Sequence, residues 1–364
     1  MGRSHTLNLV VAAVLAAACL APASAAGATV NLRGTAYEFN QPGKRLAGAT
    51  IRVAEHPRLR ATARANGDYR LAVPDRARVT PYIEVPGYHT IYLQTFTTAG
   101  QDLDRVNFQV PTDGTYNALA ALLRVSLDAA GNPRECAIVS TFSTRNVRTL
   151  SFGGFVRYGA HGVAGATASA TPALPRPFYF NENVIPDPAQ RRSSEDGGVI
   201  WAGVRAGRYV IRAHHPRTRF ARFLATCKPG RIVNANPPWG LHELGLANRV
   251  RLSARWTVSG MRTGVRSLRA TRLPSRAKVR IACRGKGCPI RTRTLRPRGR
   301  SANLTGGIPS GAVLRAGQVV EVSVVAPGHD SVRARWTVRE RRTPRLRLAC
   351  TPLGLRAPGP CAGG

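Results

Sequence analysis

The sequence predicts an all-β protein: tandem β-sandwich domains with a third, basic β-domain at the C-terminus. Three observations carry this. Apolar and polar residues alternate in short runs, as they do where one face of a strand is buried and the other is wet. Gly and Pro are abundant, at 36 and 26 residues, while aromatic residues make up only 6%, a mix that favours short strands joined by turns. Beyond the N-terminus, a single segment, Tyr116 to Leu123, has the apolar density of a short helix.

The first 25 residues read as a secretory signal peptide. Arg3 precedes an apolar run from Leu7 to Leu20, and Ala23 and Ala25 supply the small residues for cleavage near Ala25. That run is short for a resident membrane helix. No later stretch is apolar for a membrane-spanning length, so no transmembrane anchor is expected in the mature chain. About 340 residues remain after cleavage, more than one core usually organises, which predicts two or three domains.

The first domain is expected over residues 28–111. Ala49, Ile51 and Val53 alternate with Thr50 and Arg52, Tyr69, Leu71 and Val73 with Arg70 and Ala72, and Val106, Phe108 and Val110 with Asn107 and Gln109. Turns are expected at Gln41-Pro42-Gly43-Lys44, Ala65-Asn66-Gly67-Asp68 and Val85-Pro86-Gly87-Tyr88. Asn66-Gly67 is the strongest, because both residues tolerate the positive φ of a tight hairpin. Together, Gly34, Leu46-Ala47-Gly48-Ala49-Thr50, Asn66-Gly67-Asp68-Tyr69-Arg70-Leu71 and Pro86-Gly87-Tyr88 resemble the carboxypeptidase regulatory-like domain. Ala63-Arg64-Ala65 stands where that family usually has Thr-Asp before the turn. The resemblance implies a transthyretin-like, Ig-like β-sandwich with a non-catalytic accessory or adhesive role.

Residues 112–135 are expected to form a connector containing the short helix. Residues 136–246 then repeat the first domain in outline. Val163-Ala164-Gly165-Ala166-Thr167 echoes Leu46 to Thr50, and Glu195-Asp196-Gly197-Gly198 with Gly207-Arg208-Tyr209-Val210-Ile211 echoes Asn66 to Leu71. This second, diverged sandwich carries a long insertion, Thr171 to Ser194, that includes Phe178-Tyr179-Phe180-Asn181-Glu182-Asn183. Loops of such length are ordered by packing or used for function.

The basic domain is expected over residues 248–364. Ala254-Arg255-Trp256-Thr257-Val258 recurs as Ala334-Arg335-Trp336-Thr337-Val338, each a strand with Ala, Trp and Val on one face and Arg and Thr on the other. Val320, Val322 and Val324 alternate with Glu321 and Ser323. The stretch from Leu273 to Pro289, ending Cys283-Arg284-Gly285-Lys286-Gly287-Cys288-Pro289, resembles a C-terminal β-domain of secreted actinobacterial proteins; the resemblance implies no particular activity.

Six of the seven cysteines follow Ala25, and an even set in an exported chain reads as disulfides. Domain boundaries select Cys136 with Cys227, Cys283 with Cys288, and Cys350 with Cys361. Neither paired CxxC ligands nor a mixed Cys/His spacing occurs, so no metal and no other cofactor is expected.

The formal net charge is +36, and lysine occurs only at Lys44, Lys228, Lys278 and Lys286, so nearly all the positive charge is arginine. With abundant Ala, Gly and Pro, such skew is what a GC-rich genome yields without any ligand. It also suits a binder of anionic polymers outside the cell. Nucleic acid is not expected, since export separates the chain from it and no reader motif occurs. Residues 249–364 carry 24 Arg and two Lys against Glu321, Asp330 and Glu340, a net of +23. There Arg251, Arg255, Arg276, Lys278, Arg280, Arg333 and Arg335 occupy the outward set of the expected strands. They form one cationic face if those strands are neighbours.

The usual patterns of catalysis are missing. There is no Gly-x-Ser-x-Gly elbow, and His242-Glu243 lacks the second His of a zinc-protease helix. Glu182, Asp187, Glu195 and Asp196 are the candidate carboxylates for a glycosidase pair, and a cleft joining Glu182 or Glu195 to His214 would favour a secreted hydrolase. His214 and His215, adjacent on a strand, point to opposite faces and do not chelate one metal as a unit. Phe178, Tyr179, Phe180 and Asn181, with Trp201, Trp239 and Arg219, would serve a carbohydrate-binding module if the rings are exposed, and would fill a core if they are not. The function expected is therefore that of a secreted, non-catalytic binding or structural protein of the cell envelope, contacting cell-wall polymers or polysaccharide.

Overall fold

Alternation in the first region becomes sheet. Ala49, Ile51 and Val53 are fully buried between half-exposed Thr50 and Arg52, and Tyr69, Leu71 and Val73 face the same apolar layer. In this computed structural model, which describes residues 28–290 and 292–361, strands dominate and two α-helices are present among the described residues, Asp113–Leu122 and Phe152–Tyr158. The signal peptide expected before Ala25 lies outside the described residues. No helix among the described residues is long and apolar enough to cross a membrane.

The first core lies between two sheets. On one side the strand Thr29–Glu38 pairs antiparallel with Asp68–Pro74 and Gln41–Arg45 and parallel with Phe108–Val110. Across from it stand His56–Thr62, Thr50–Val53, Pro81–Val85 and Tyr88–Tyr92, one end of a nine-stranded sheet. That sheet continues through the single parallel pair Tyr92 and Val233 into Ile232–Ala235, Cys136–Thr141, Gly198–Val204, Phe178–Phe180 and Pro186–Asp187. The second core is closed over this far end by the three strands Thr167–Thr171, Gly207–His214 and Phe223–Cys227. One backbone hydrogen-bonded sheet therefore runs beneath both N-terminal cores.

Two expected turns differ in place or kind. The reversal after the first strand comes at Asn40, in the left-handed region at φ +58, and Pro42-Gly43 lie inside the returning strand Gln41–Arg45. Asn66-Gly67 makes a turn, but it links strands of opposing sheets and not a hairpin. Glycine is needed there because a Cβ on Gly67, at φ +77, would lie 2.5 Å from the Ala36 carbonyl oxygen. Pro86-Gly87 does close a two-residue hairpin, with Val85 opposite Tyr88. The helix Asp113–Leu122 begins where the Thr112 hydroxyl accepts the Thr115 N–H at 3.1 Å, and it buries Tyr116 and Ala120, one turn apart, against the first core.

In the C-terminal region a four-stranded sheet (Arg251–Ser259, Arg262–Thr271, Ser301–Asn303 and Val313–Leu314) faces a five-stranded sheet (Arg293–Leu295, Lys278–Arg284, Val319–Val325, Ser331–Arg339 and Arg342–Thr351). The recurring Ala-Arg-Trp-Thr-Val strands lie one in each sheet, and their rings meet across the core, Trp256 to Trp336 at 6.2 Å. All three expected disulfides are formed: Cys136–Cys227, Cys283–Cys288 and Cys350–Cys361. The first ties the two sheets of the second sandwich together.

Candidate anion-binding surface

Antiparallel pairing puts partner residues on the same face, so the register of the five-stranded sheet dictates its outer surface. One row across the strands reads Arg280, Ser323, Arg333 and Ala349; the next reads Ala282, Glu321, Arg335 and Arg347; a third reads Arg284, Val319, Thr337 and Arg345. Lys278 extends the face one row further, opposite Val325. The alternate residues, including Val279, Ile281, Val320, Val322, Val324 and Trp336, are buried beneath. Positive charges thus stand roughly 7 Å apart along a strand at Lys278 and Arg280, Arg333 and Arg335, and Arg345 and Arg347, and about 5 Å apart across strands at Arg335 and Arg347, while the strand Val319–Val325 between the two cationic groups contributes none.

A single carboxylate sits in this field. Glu321 lies 3.6–3.7 Å from the guanidinium nitrogens of Arg284, Arg333 and Arg335, and its side chain is only 11% exposed. One negative charge shared among three cations leaves the face strongly positive, and the arginines around it remain half exposed. Guanidinium groups held in rows present planar donor forks to carboxylate, phosphate or sulfate oxygens.

The residues named from the sequence are divided by this geometry. Lys278, Arg280, Arg333 and Arg335 share the outer face of the five-stranded sheet, and Arg276, at φ +56, sits in the turn leading to Lys278. Arg251 and Arg255 are outward on the opposite sheet, so the seven do not make one face. The strand Arg251–Ser259 repeats the pattern of Ser331–Arg339 but pairs elsewhere, which pattern alone does not reveal. Sequence reading also passed over Arg284, Arg345 and Arg347, because membership of the face depends on cross-strand register.

The aromatic insertion folds inward. Phe178 and Tyr179 pair with Ile200 and Val199 and extend the nine-stranded sheet, so Tyr179 and Phe180 are buried and Phe178 half-buried. The Tyr179 hydroxyl accepts the Ala168 N–H, and the Asn181 side-chain oxygen accepts the N–H groups of Asn183 and Ile185, which ties up the loop. Trp201 is buried in the second core, whereas Trp239 packs against the first. No exposed ring platform is formed by Phe178, Tyr179 and Phe180, the condition set for a carbohydrate-binding module.

Glu182, Glu195 and Asp196 line a cavity of about 430 Å3 together with His161. Burial raises the Asp196 carboxyl, whose oxygen accepts the Gly198 N–H at 2.9 Å. His214 is not part of that cavity. It is exposed elsewhere, with Nε2 2.8 Å from the Ser169 hydroxyl, while His215 is half-buried. The cleft that would have joined Glu182 or Glu195 to His214 is therefore not formed.

No family model matches the chain. No curated protein matches it. Among solved structures it is similar to a type II cohesin–X-dockerin complex from Acetivibrio cellulolyticus, at 16% identity over 28% of this chain and 79% of that one, with a TM-score of 0.20. It is also similar to the TIE protein of Bacillus anthracis, at 11% identity over 87% of this chain and a TM-score of 0.18; the chain spans about half that protein's length, 48%. A minor pilin of Streptococcus agalactiae is similar at 7% identity over 59% of this chain and 95% of that one, with a TM-score of 0.18. At such scores the likeness does not extend to a shared overall arrangement.

Proposed function

We propose that this protein is exported and acts outside the cell as a non-catalytic binding or structural component of the cell envelope, holding anionic wall polymers or polysaccharide on the outer face of its five-stranded C-terminal sheet. The observation that carries the reading is the register that gathers Lys278, Arg280, Arg284, Arg333, Arg335, Arg345 and Arg347 on one sheet face, with Arg284, Arg333 and Arg335 around the carboxylate of Glu321. Arginines also face outward on the opposite sheet, at Arg251 and Arg255; what sets the five-stranded face apart is Glu321, which holds three of its guanidinium groups together. Export is supported by three disulfides, which persist in oxidising compartments. Three domains at residues 28–111, 136–246 and 248–364, with the connector 112–135, belong to the same proposal.

A finer assignment, that the first sandwich is a carboxypeptidase regulatory-like module, is supported by the way its motif residues converge. A Cβ on Gly34 would lie 2.0 Å from the Val106 carbonyl oxygen, and the Tyr69 hydroxyl donates to that same carbonyl. In this reading the module is a rigid spacer that presents the basic domain.

Co-sedimentation with isolated cell walls tests the proposal. Lys278→Gln/Arg280→Gln/Arg347→Gln leaves the three cations around Glu321 in place while removing three charges from the face. The triple variant is expected to lose most wall binding and to keep the parent's thermal stability. Wall binding equal to the parent's would overturn the assignment of the face.

A further inference from the structure

We infer that the cavity between the basic loop Arg217–Arg222 and the C-terminal tail is a binding site for an organic phosphate, a phosphate ester whose oxygens meet arginine forks and whose carbon body rests on an apolar wall. The cavity has a volume of about 840 Å3, and Arg145, Arg148, Arg217, Arg219 and Arg222 line it against one carboxylate, Asp330. Arg145 is already neutralised, since its Nε and Nη2 donate to Glu243 at 3.2 Å each. The other four are not matched.

Arg148 is the informative member. Its side chain is 2% exposed, its guanidinium stacks 4.9 Å over the Trp239 ring, and Nη1 donates to the Pro238 carbonyl, yet its Nε has no hydrogen-bond partner. Burial, with Arg105 as the charged neighbour, pushes its pKa down to about 9, and no carboxylate offsets either effect. A buried cation without a counter-charge is costly, and structures that keep one supply the missing charge. Here the supplier is a ligand anion.

Size and lining select its class. The volume falls within the range of small-molecule sites, well above what a bare oxyanion fills. Trp239, Leu244, Leu246 and Leu353 give the apolar wall. Arg217, Arg219 and Arg222 are exposed on one loop, where forked donors suit tetrahedral phosphate oxygens. The tail forms the far wall, held to the first sandwich where Arg105 Nη2 donates to the Gly354 carbonyl at 2.9 Å. The site does not depend on the outer face of the five-stranded sheet, and the two are separable by mutation.

Titration calorimetry of the purified protein with glycerol 1-phosphate, poly(glycerol phosphate) and glycerol tests the inference. Heat is expected from at least one phosphate-bearing probe and none from glycerol. Binding of the monoester identifies a free small molecule as the source, whereas polymer binding that survives in Lys278→Gln/Arg280→Gln/Arg347→Gln and is lost in Arg219→Gln/Arg222→Gln, with no heat from the monoester, identifies a phosphodiester repeat. With glycerol 1-phosphate as the probe, Arg219→Gln/Arg222→Gln should weaken the interaction about tenfold or more. Arg148→Met should melt no lower than the parent in phosphate-free buffer and gain nothing in melting temperature from the ligand. No heat from either phosphate, or heat unaltered in the loop double variant, would overturn the site even if Arg148→Met failed to fold.

Discussion

At Glu321 one carboxylate serves three guanidinium groups, and its replacement separates stability from binding. Glu321→Gln removes the charge that holds Arg284, Arg333 and Arg335 together. It should cost roughly 1–2 kcal/mol in denaturant unfolding, between the limits for exposed and buried pairs. The same change leaves the face more positive, so affinity for an anionic polymer should rise. His242 reports on pH. Burial, with the charge of Arg148 beside it, holds its pKa well below the ordinary 6.5, so the imidazole stays neutral in the fold. Below that ordinary value the unfolded chain takes up a proton that the folded chain refuses, and stability is lost progressively as pH falls towards the folded value. Urea midpoints are expected to drop between about pH 7 and pH 5, and His242→Gln should flatten that drop.

Among the elements, the disulfides differ in what they constrain. Cys136–Cys227 closes 91 residues and spans two sheets, whereas Cys283–Cys288 closes a separation of 5 within one strand and its loop. Replacing both cysteines of the long bridge with Ala should cost about 4–5 kcal/mol, and of the short one about 2, in thermal or denaturant unfolding. Strand alternation at Ile51 and Val53, at Leu71 and Val73 and at Val320 to Val324 was legible in the sequence because period two is a local property. Cysteine pairing was legible because each pair sits within one expected region. The sheet partners were not: Asn66-Gly67 reads as a hairpin until the strands on either side of it are seen to enter different sheets. Likewise Arg251 and Arg255 look identical in pattern to Arg333 and Arg335, and only long-range pairing parts them. Phe178 to Phe180 read equally as platform or core until Ile200 and Val199 take them as an added strand.

Over the whole molecule, two N-terminal sandwiches share a nine-stranded sheet, and the C-terminal sandwich carries the cationic face. Its charge is arginine with one lysine, so attraction to a polyanion should weaken with salt by screening and counterion release. A composition-driven charge with no ligand predicts only diffuse, weak association. The measurement that separates these is the affinity of the purified protein for isolated cell walls across a salt series. The account predicts that log affinity falls steadily with log salt concentration, and that the slope shrinks in Lys278→Gln/Arg280→Gln/Arg347→Gln. Equal binding at low and high salt, or a slope untouched by the triple variant, would contradict it.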